Sequence, residues 1–333
     1  LRAFALCALA CAALASCRKQ PSGAAAEDFA LVVYSSHNEG IVRVVLTEFR
    51  DRSGLRVRAV QGGTGEMLGR VRAGEACDVL WGGGAESLAA NADLFEPYIS
   101  SEAAAIPAAN KAADGTWTGF TLLPMVIGYN SRLLPGDRAP RSWSELLEPR
   151  FRGAIAYADP AVSASSYTIL RTLGTALSAG GRMSRAGAEA AFVANLGGKL
   201  ISESSSVFPS VASGEYLVGL YHDEGARELM LSGSDLRIVY PTDGTSAVPD
   251  GVALVRGSRH GAAAKAFIDF VLGRDVAKVM VTRFHRRSAR SDCESPPGQL
   301  PISAISLVDY DIGAAAVEKE ATLARFRALR AAK

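Results

Sequence analysis

The stretch FALVVYSSHNEGIVRVVLTEFRDRSG, residues 29–54, changes its periodicity once, and that change decides the fold. ALVVY is a short apolar strand. From Gly40 to Arg52, Ile41, Val44, Val45 and Phe49 recur near i, i+3, i+4 and i+8 with charges between them, a helical pattern that Gly54 ends. Between the two lies YSSHNEG, Tyr34–Gly40, a polar turn carrying an imidazole where a strand hands over to a helix. A catalytic centre, a metal site and an anion cradle all fit such a turn. The unit then repeats. LRVRAV alternates as a second strand, and QGGTGEMLGRVRAGE is a Gly-rich turn followed by a helix carrying Met67, Leu68 and Val71. CDVLWGGG is a third strand, and AESLAANAD opens another helix. Strand, turn and helix in alternation predict an α/β protein with a mixed, mostly parallel sheet flanked by helices.

The chain has 333 residues, 48% hydrophobic and 21% charged, enough for two lobes with cores of their own. Its net charge of +2 comes with no basic block, so nucleic acid is not an expected partner. LRAFALCALACAALASC, residues 1–17, reads as a secretory signal, too short to span a membrane. Its end, Leu14-Ala15-Ser16-Cys17, resembles the lipobox of bacterial lipoproteins, which implies lipidation at Cys17. A polar tether, residues 18–27, follows, and the expected place is the periplasm or cell surface on a lipid anchor. Cys7 and Cys11 leave with the signal. Cys77 and Cys293 remain, in no metal-ligand spacing; free thiols are the expectation, a pair in an oxidising compartment the alternative.

A second region begins near Gly119. FTLLPMVIGYN is read as a strand crossing between lobes, SASSYTILRTLGTAL as a helix, and LRIVYPTDGTSAVPDGVALVRG as the extended return. In order along the chain, YSSH, GGTGEMLGRVRAGEACDVLWGGG, MVIGYNSRLL, PRSWSELLEPRFRGAIAYADPAVSAS, SGEYLVGL and DGVALVRGSRHGAAAKAFIDFVL together resemble the extracellular solute-binding proteins of ABC importers. The similarity is to the group holding ferric-iron, polyamine, thiamine, aminoethylphosphonate and hexose-phosphate binders. It implies a two-lobed type II periplasmic binding protein fold, with lobe one at residues 28–118 plus 250–333, lobe two at 119–249, and ligand in the cleft between. It also implies a monomer without a cofactor that docks on membrane permease and ATPase subunits.

In such a sheet, turns at the carboxyl ends of strands line one edge, and each leads into a helix whose first N–H groups lack partners and suit anions. The candidate ligand contacts are Ser35, Ser36 and His37 in the first turn, and Gly63, Thr64 and Glu66 in the second. Ser163, Ser165 and Ser166 form the third; Ser205 and Ser206, after Ser204, form the fourth. His222, Asp223 and Glu224 form the fifth, three ionisable groups where a simple cap needs one. Helix capping alone explains any one Ser, Thr or Gly among them. Trp81 either stacks on a sugar or packs under the glycines, while Tyr129 and Trp143 are read as packing residues.

The best-fitting ligand is a small anion, a hexose phosphate or related organophosphate. Turn hydroxyls and helix ends would hold the phosphate with His37 assisting, and the His-Asp-Glu run would read hydroxyls. Ferric iron is the alternative, through His37, Glu66, Tyr221 and Glu224. The resemblance implies an adjacent Tyr-Tyr pair in iron binders, and here Tyr216 and Tyr221 are not adjacent. Aminoethylphosphonate, thiamine and polyamine rank lower. No G-x-S-x-G, H-E-x-x-H or P-loop is present, so an enzyme is not expected.

Overall fold

The computed structural model describes residues 29–179, 181 and 183–332. The expected signal, Cys17 and the tether lie outside the described residues. The first strand, β1 (Leu31–Ser35), pairs in parallel with β2 (Val57–Gln61) on one side and β3 (Val79–Gly84) on the other. Two short strands, β4 (Phe95–Glu96) and β6 (Ile155–Ala156), flank the long β5 (Thr118–Asn130) in sequence. After them come β7 (Val218–His222), β8 (Leu236–Val239), β9 (Ala247–Val255) and β10 (Arg287–Ser288). The spatial order is β2-β1-β3-β9-β5-β7-β6, with β4 on β9 and both β8 and β10 on β5.

Parallel pairing holds where helices connect the strands: β1 with β2 and β3, and β6 with β7. The long strands β5 and β9 run antiparallel to each other and to their other neighbours. The sheet is therefore mixed, and its antiparallel middle is the crossing between lobes. A strand that passes from one lobe to the other and back can pair only in opposite directions.

Among the described residues, eleven helices cover the sheet. They are α1 (Glu39–Ser53), α2 (Thr64–Arg72), α3 (Ala85–Ala89), α4 (Ala164–Ala179), α5 (Arg185–Asn195) and α6 (Val207–Ala212), then α7 (Glu224–Leu231), α8 (Gly261–Leu272), α9 (Arg274–Arg283), α10 (Ile312–Val317) and α11 (Lys319–Ala331). Alternation along β1 fills both faces of the first lobe. Leu31 and Val33 pack with Val45, Phe49, Phe267 and Met280 from α1, α8 and α9. Val32 and Tyr34 pack with Met67, Leu68 and Leu88 from α2 and α3. Farther along β5 the same alternation serves the second lobe. Met125 and Ile127 face Leu170 and Phe192 of α4 and α5, and Val126 faces Val207 and Phe208 of α6. A strand buried along its whole length, as β1 is, is what a doubly covered sheet requires.

The helix read from Ile41, Val45 and Phe49 is α1. Asn38 caps it by accepting from the Ile41 N–H at 2.9 Å, and Gly54 closes it at φ 70°, where a side chain would be strained. Trp143 is fully buried, and its indole N–H donates to the Gly244 carbonyl at 2.8 Å. The last two helices pack on different parts of the molecule. α10 packs on α3 of the first lobe, but α11 lies against α5 and puts Phe326 into the second lobe's core. Its apolar Leu323 and Phe326, three residues apart, form the stripe that α4 and α5 leave open. Cys77 and Cys293 are both free thiols.

Candidate functional site

The carboxyl ends of β1, β3 and β7 and the starts of α2 and α4 converge on one interlobe cavity of about 140 Å³, room for about ten waters. Ser36, His37, Gly63, Thr64, Ser163, Ser165 and His222 line it, one or more residues from four of the five turns singled out in the sequence. From the fourth turn the lining residue is Ser204; Ser205 is exposed beside Glu203, and Ser206 is half-buried outside the lining.

Local geometry explains which residue of each turn faces the cavity. The buried Ser35 hydroxyl accepts the His37 N–H at 3.2 Å, so Ser35 shapes the turn and Ser36 and His37 face the cleft. Gly82 and Gly83, at φ 110° and 89°, let β3 pass close beneath: a Cβ at Gly82 would sit 2.6 Å from the Ser36 hydroxyl, and one at Gly83 would sit 2.5 Å from Thr64. α2 starts at Thr64 with no side-chain cap on its free N–H groups, because Gly63 holds the cap position. Glu66 lies on the outer face of that helix, 61% exposed and 4.0 Å from Arg70, outside the cavity lining. Ser163 caps α4 by accepting from the Ser166 N–H at 3.2 Å, and Ser166 is buried beneath it with its carbonyl bonded to Tyr157.

The fifth turn divides its three ionisable groups. His222 faces the cavity. Asp223 points away and is bound by Arg287 at 3.0 Å through two nitrogens and by the Tyr240 hydroxyl at 2.8 Å. Glu224 sits behind His222, with Oε2 3.3 Å from its Nδ1. Tyr221 lines the cavity as a single phenol. Burial, then Glu224, push its pKa up, and the neighbouring Ser204 and Ser165 of the same lining oppose that rise. Trp81 is wholly buried, edge-on to His37 with centroids 4.5 Å apart and also against Phe120 and Phe267, so it is packing under the turn.

Two residues that sequence reasoning missed hold the centre. Arg286, buried, donates through one terminal nitrogen to His37 Nδ1 at 2.8 Å; that nitrogen is 3.3 Å from Asp250 Oδ2. Its Nε lies 4.0 Å from Glu224. Asp250 in turn accepts the Thr121 N–H at 2.9 Å and the Thr121 hydroxyl at 2.6 Å. The available signal for Asp250 was a carboxylate inside the apolar run VPDGVALV, which a crossing strand buries only for a partner.

Burial, reinforced by Arg286, pushes both His37 and His222 well below the ordinary imidazole range. Both rings are therefore neutral at pH 7. Because His37 Nδ1 accepts from Arg286, its proton sits on Nε2, which is buried and has no protein partner. Burial raises Asp250 and Glu224, and Arg286 opposes that rise. Among the described residues, no group of three or more His, Cys, Asp or Glu side chains is arranged to hold a metal ion.

The histidines give a signed pH dependence. The unfolded chain takes up a proton on each below about pH 6.5, and the native cleft resists it, so stability falls as pH drops from there by up to about 1.4 kcal/mol per pH unit per ring. The raised Asp250 and Glu224 carry the opposite sign: stability from them is present at low pH and lost as pH rises through the carboxylate range. Urea midpoints between about pH 7.5 and 5.5 should decline, and less steeply in a His37→Gln/His222→Gln variant. Equal slopes would refute the neutral assignment.

The model of the family described as bacterial extracellular solute-binding protein matches residues 78–298. The chain belongs to that family, whose members bind solutes and do not catalyse reactions. A probable ABC transporter periplasmic-binding protein of Sinorhizobium fredii is 28% identical over 261 residues, 76% of this chain and 72% of that one. Among solved structures, the periplasmic binding protein AfuA of Actinobacillus pleuropneumoniae with fructose-6-phosphate bound superposes with a TM-score of 0.80 at 20% identity, covering 89% of this chain and 97% of that chain. Iron-bound HitA of Pseudomonas aeruginosa superposes at 0.77 and 19% identity, covering 90% and 98%. Both share the two-lobed fold, and the pair of them leaves the ligand to be argued from the cleft.

Proposed function

We propose that this solute-binding protein is the periplasmic capture component of an ABC importer and that its cleft takes a hexose phosphate or related small organophosphate. The observation that carries the reading is the buried, unpartnered Nε2–H of His37 beside the Ser36 hydroxyl. A donor left unpaired in a cleft calls for an acceptor from the ligand, because an unmade buried hydrogen bond costs about 1–3 kcal/mol. The uncapped start of α2 and the hydroxyls of Ser163, Ser165 and Ser204 add donors around the same space. His222 is placed to read hydroxyls of the sugar. Asp223, spent on Arg287, supports the turn rather than touching the solute.

Iron is the weaker reading. Its phenolate would come from a single Tyr221 whose pKa is raised, and Glu66 lies on the outer face of α2. Capture proceeds by closure of the lobes about β5 and β9. Thr168 of α4 bonds Glu86 of α3 across the cleft, and Arg286 reaches groups of both lobes. The closed form then presents the solute to the importer's permease.

Thermal unfolding of the purified protein against fructose 6-phosphate, free fructose, inorganic phosphate, 2-aminoethylphosphonate and Fe³⁺ tests this. The largest upward shift is expected with the sugar phosphate. A shift with Fe³⁺ alone would overturn it.

A further inference from the structure

We propose that Glu86 is a positioning residue for solute capture: held as a neutral acid, it donates to the Thr168 hydroxyl across the cleft and fixes α3 of the first lobe to α4 of the second. The inference deepens the closure step given above and rests on it.

The hydrogens at this contact decide the protonation state. Glu86 is fully buried, and Thr168 is buried beside it. Thr168 Oγ1 is in hydrogen-bond contact with Glu86 Oε1 and, at 3.1 Å, with the Ala164 carbonyl one turn earlier in α4. A hydroxyl has one hydrogen and can also accept. Beside an ionised Glu86 both neighbours would be acceptors, and one contact would lack a proton. With the proton on Oε1 both are made: Glu86 donates to Thr168, and Thr168 donates to Ala164. Oε2 is buried without a partner, which costs far less for a neutral acid than for a carboxylate. The charged groups around it are engaged elsewhere. Arg171 of α4 is turned to Glu318, and Lys319 of α11 donates to Ser87 Oγ at 2.8 Å. On β9, Asp250 serves Thr121 and Arg286. Burial raises the phenols of Tyr167 and Tyr310, so both are neutral. Burial also pushes the Glu86 carboxyl above its ordinary range, and Thr168, Lys319 and Arg171 oppose that rise. The pair borders the solute. Thr168 and Gly84 line the cavity, and Gly84 comes so close to Oε2 that a Cβ there would lie 2.8 Å away. Opening the lobes would bring Glu86 to water and to the ordinary carboxylate range. Closing therefore takes up a proton. Its contribution is full below about pH 4.3 and is lost as pH rises through the raised value.

Small-angle scattering of the ligand-free protein from about pH 5 to 8, on the wild type, Glu86→Gln, Glu86→Ala and Thr168→Val, tests this. The wild-type radius of gyration should grow as pH rises. Glu86→Gln, whose amide donates to Thr168 at every pH, should keep the low-pH radius throughout. Glu86→Ala and Thr168→Val should be expanded throughout. If Glu86→Ala does not fold, Thr168→Val, which is close in volume to the native residue, is read in its place. Superimposable wild-type and Glu86→Gln profiles, or a Thr168→Val protein as compact as Glu86→Gln, would overturn the inference. Calorimetric affinity for fructose 6-phosphate over the same range is the parallel arm. His37, His222 and the phosphate titrate in both proteins, so the difference between the two profiles belongs to Glu86. Wild-type affinity should fall with pH more steeply than that of Glu86→Gln, by up to about tenfold per pH unit. The arms separate two failures. Diverging radii in a protein that ignores fructose 6-phosphate sink the sugar-phosphate reading alone. Binding of fructose 6-phosphate with parallel pH profiles sinks the role of Glu86 alone.

Discussion

Asp250→Ala should destabilise the protein by about 3–5 kcal/mol, the loss typical when one partner of a buried ion pair is removed. Three groups depend on that carboxylate. The Thr121 N–H and hydroxyl both donate to Oδ1, and Arg286 approaches Oδ2. Thr121 and Asp250 face each other in the antiparallel crossing of β5 and β9, and both they and Arg286 are buried. Removing the carboxylate leaves a buried guanidinium short of counter-charge and an N–H without a partner. Asp250→Asn keeps an acceptor for Thr121 and should cost less. Urea denaturation midpoints measure both; a loss under about 1 kcal/mol for the alanine variant would show that Glu224 alone compensates Arg286.

The second large effect is expected at Trp81. The ring is fully buried and edge-packed on His37, Phe120 and Phe267, at centroid distances of 4.5, 5.4 and 5.7 Å. Trp81→Ala should cost about 3–5 kcal/mol through lost contacts and the cavity left behind. Because the indole is the platform under His37, sugar-phosphate affinity should fall as well, although Trp81 itself does not line the cleft. Trp81→Phe, which refills most of the volume, should recover most of the stability. A variant that unfolds like the wild type but binds weakly would instead place Trp81 in contact with the solute.

The parts of this molecule legible in the sequence were those written in short-range pattern. The shift from a two-residue to a 3.6-residue period at Tyr34–Gly40 located β1, the turn and α1, because alternation and helical recurrence are local properties of the chain. The turns followed, since a strand end leading into a helix needs small, capping residues whether or not a ligand sits there. Which residue of each turn faces the cleft was not legible. Ser35 and Asn38 bond their own backbone, Asp223 turns to Arg287, and Ser204 rather than Ser205 lines the space. Those outcomes depend on helix phase and on partners far away in sequence. Arg286 is the extreme case, 249 residues from His37. It stands in FHRRSAR, a stretch with no motif to single it out, and the β10–β5 pairing brings it to the cleft. Long-range pairing likewise made the middle of the sheet antiparallel, and long-range packing set Phe326 of α11 beside Leu170 and Phe192.

Calorimetric titration of the purified protein with fructose 6-phosphate, alongside ferric citrate, bears most directly on the cleft's identity as an anion site. Saturable one-to-one binding of the sugar phosphate, lost in His37→Ala and absent for iron, is expected. One-to-one binding of iron with no heat from the sugar phosphate would contradict it.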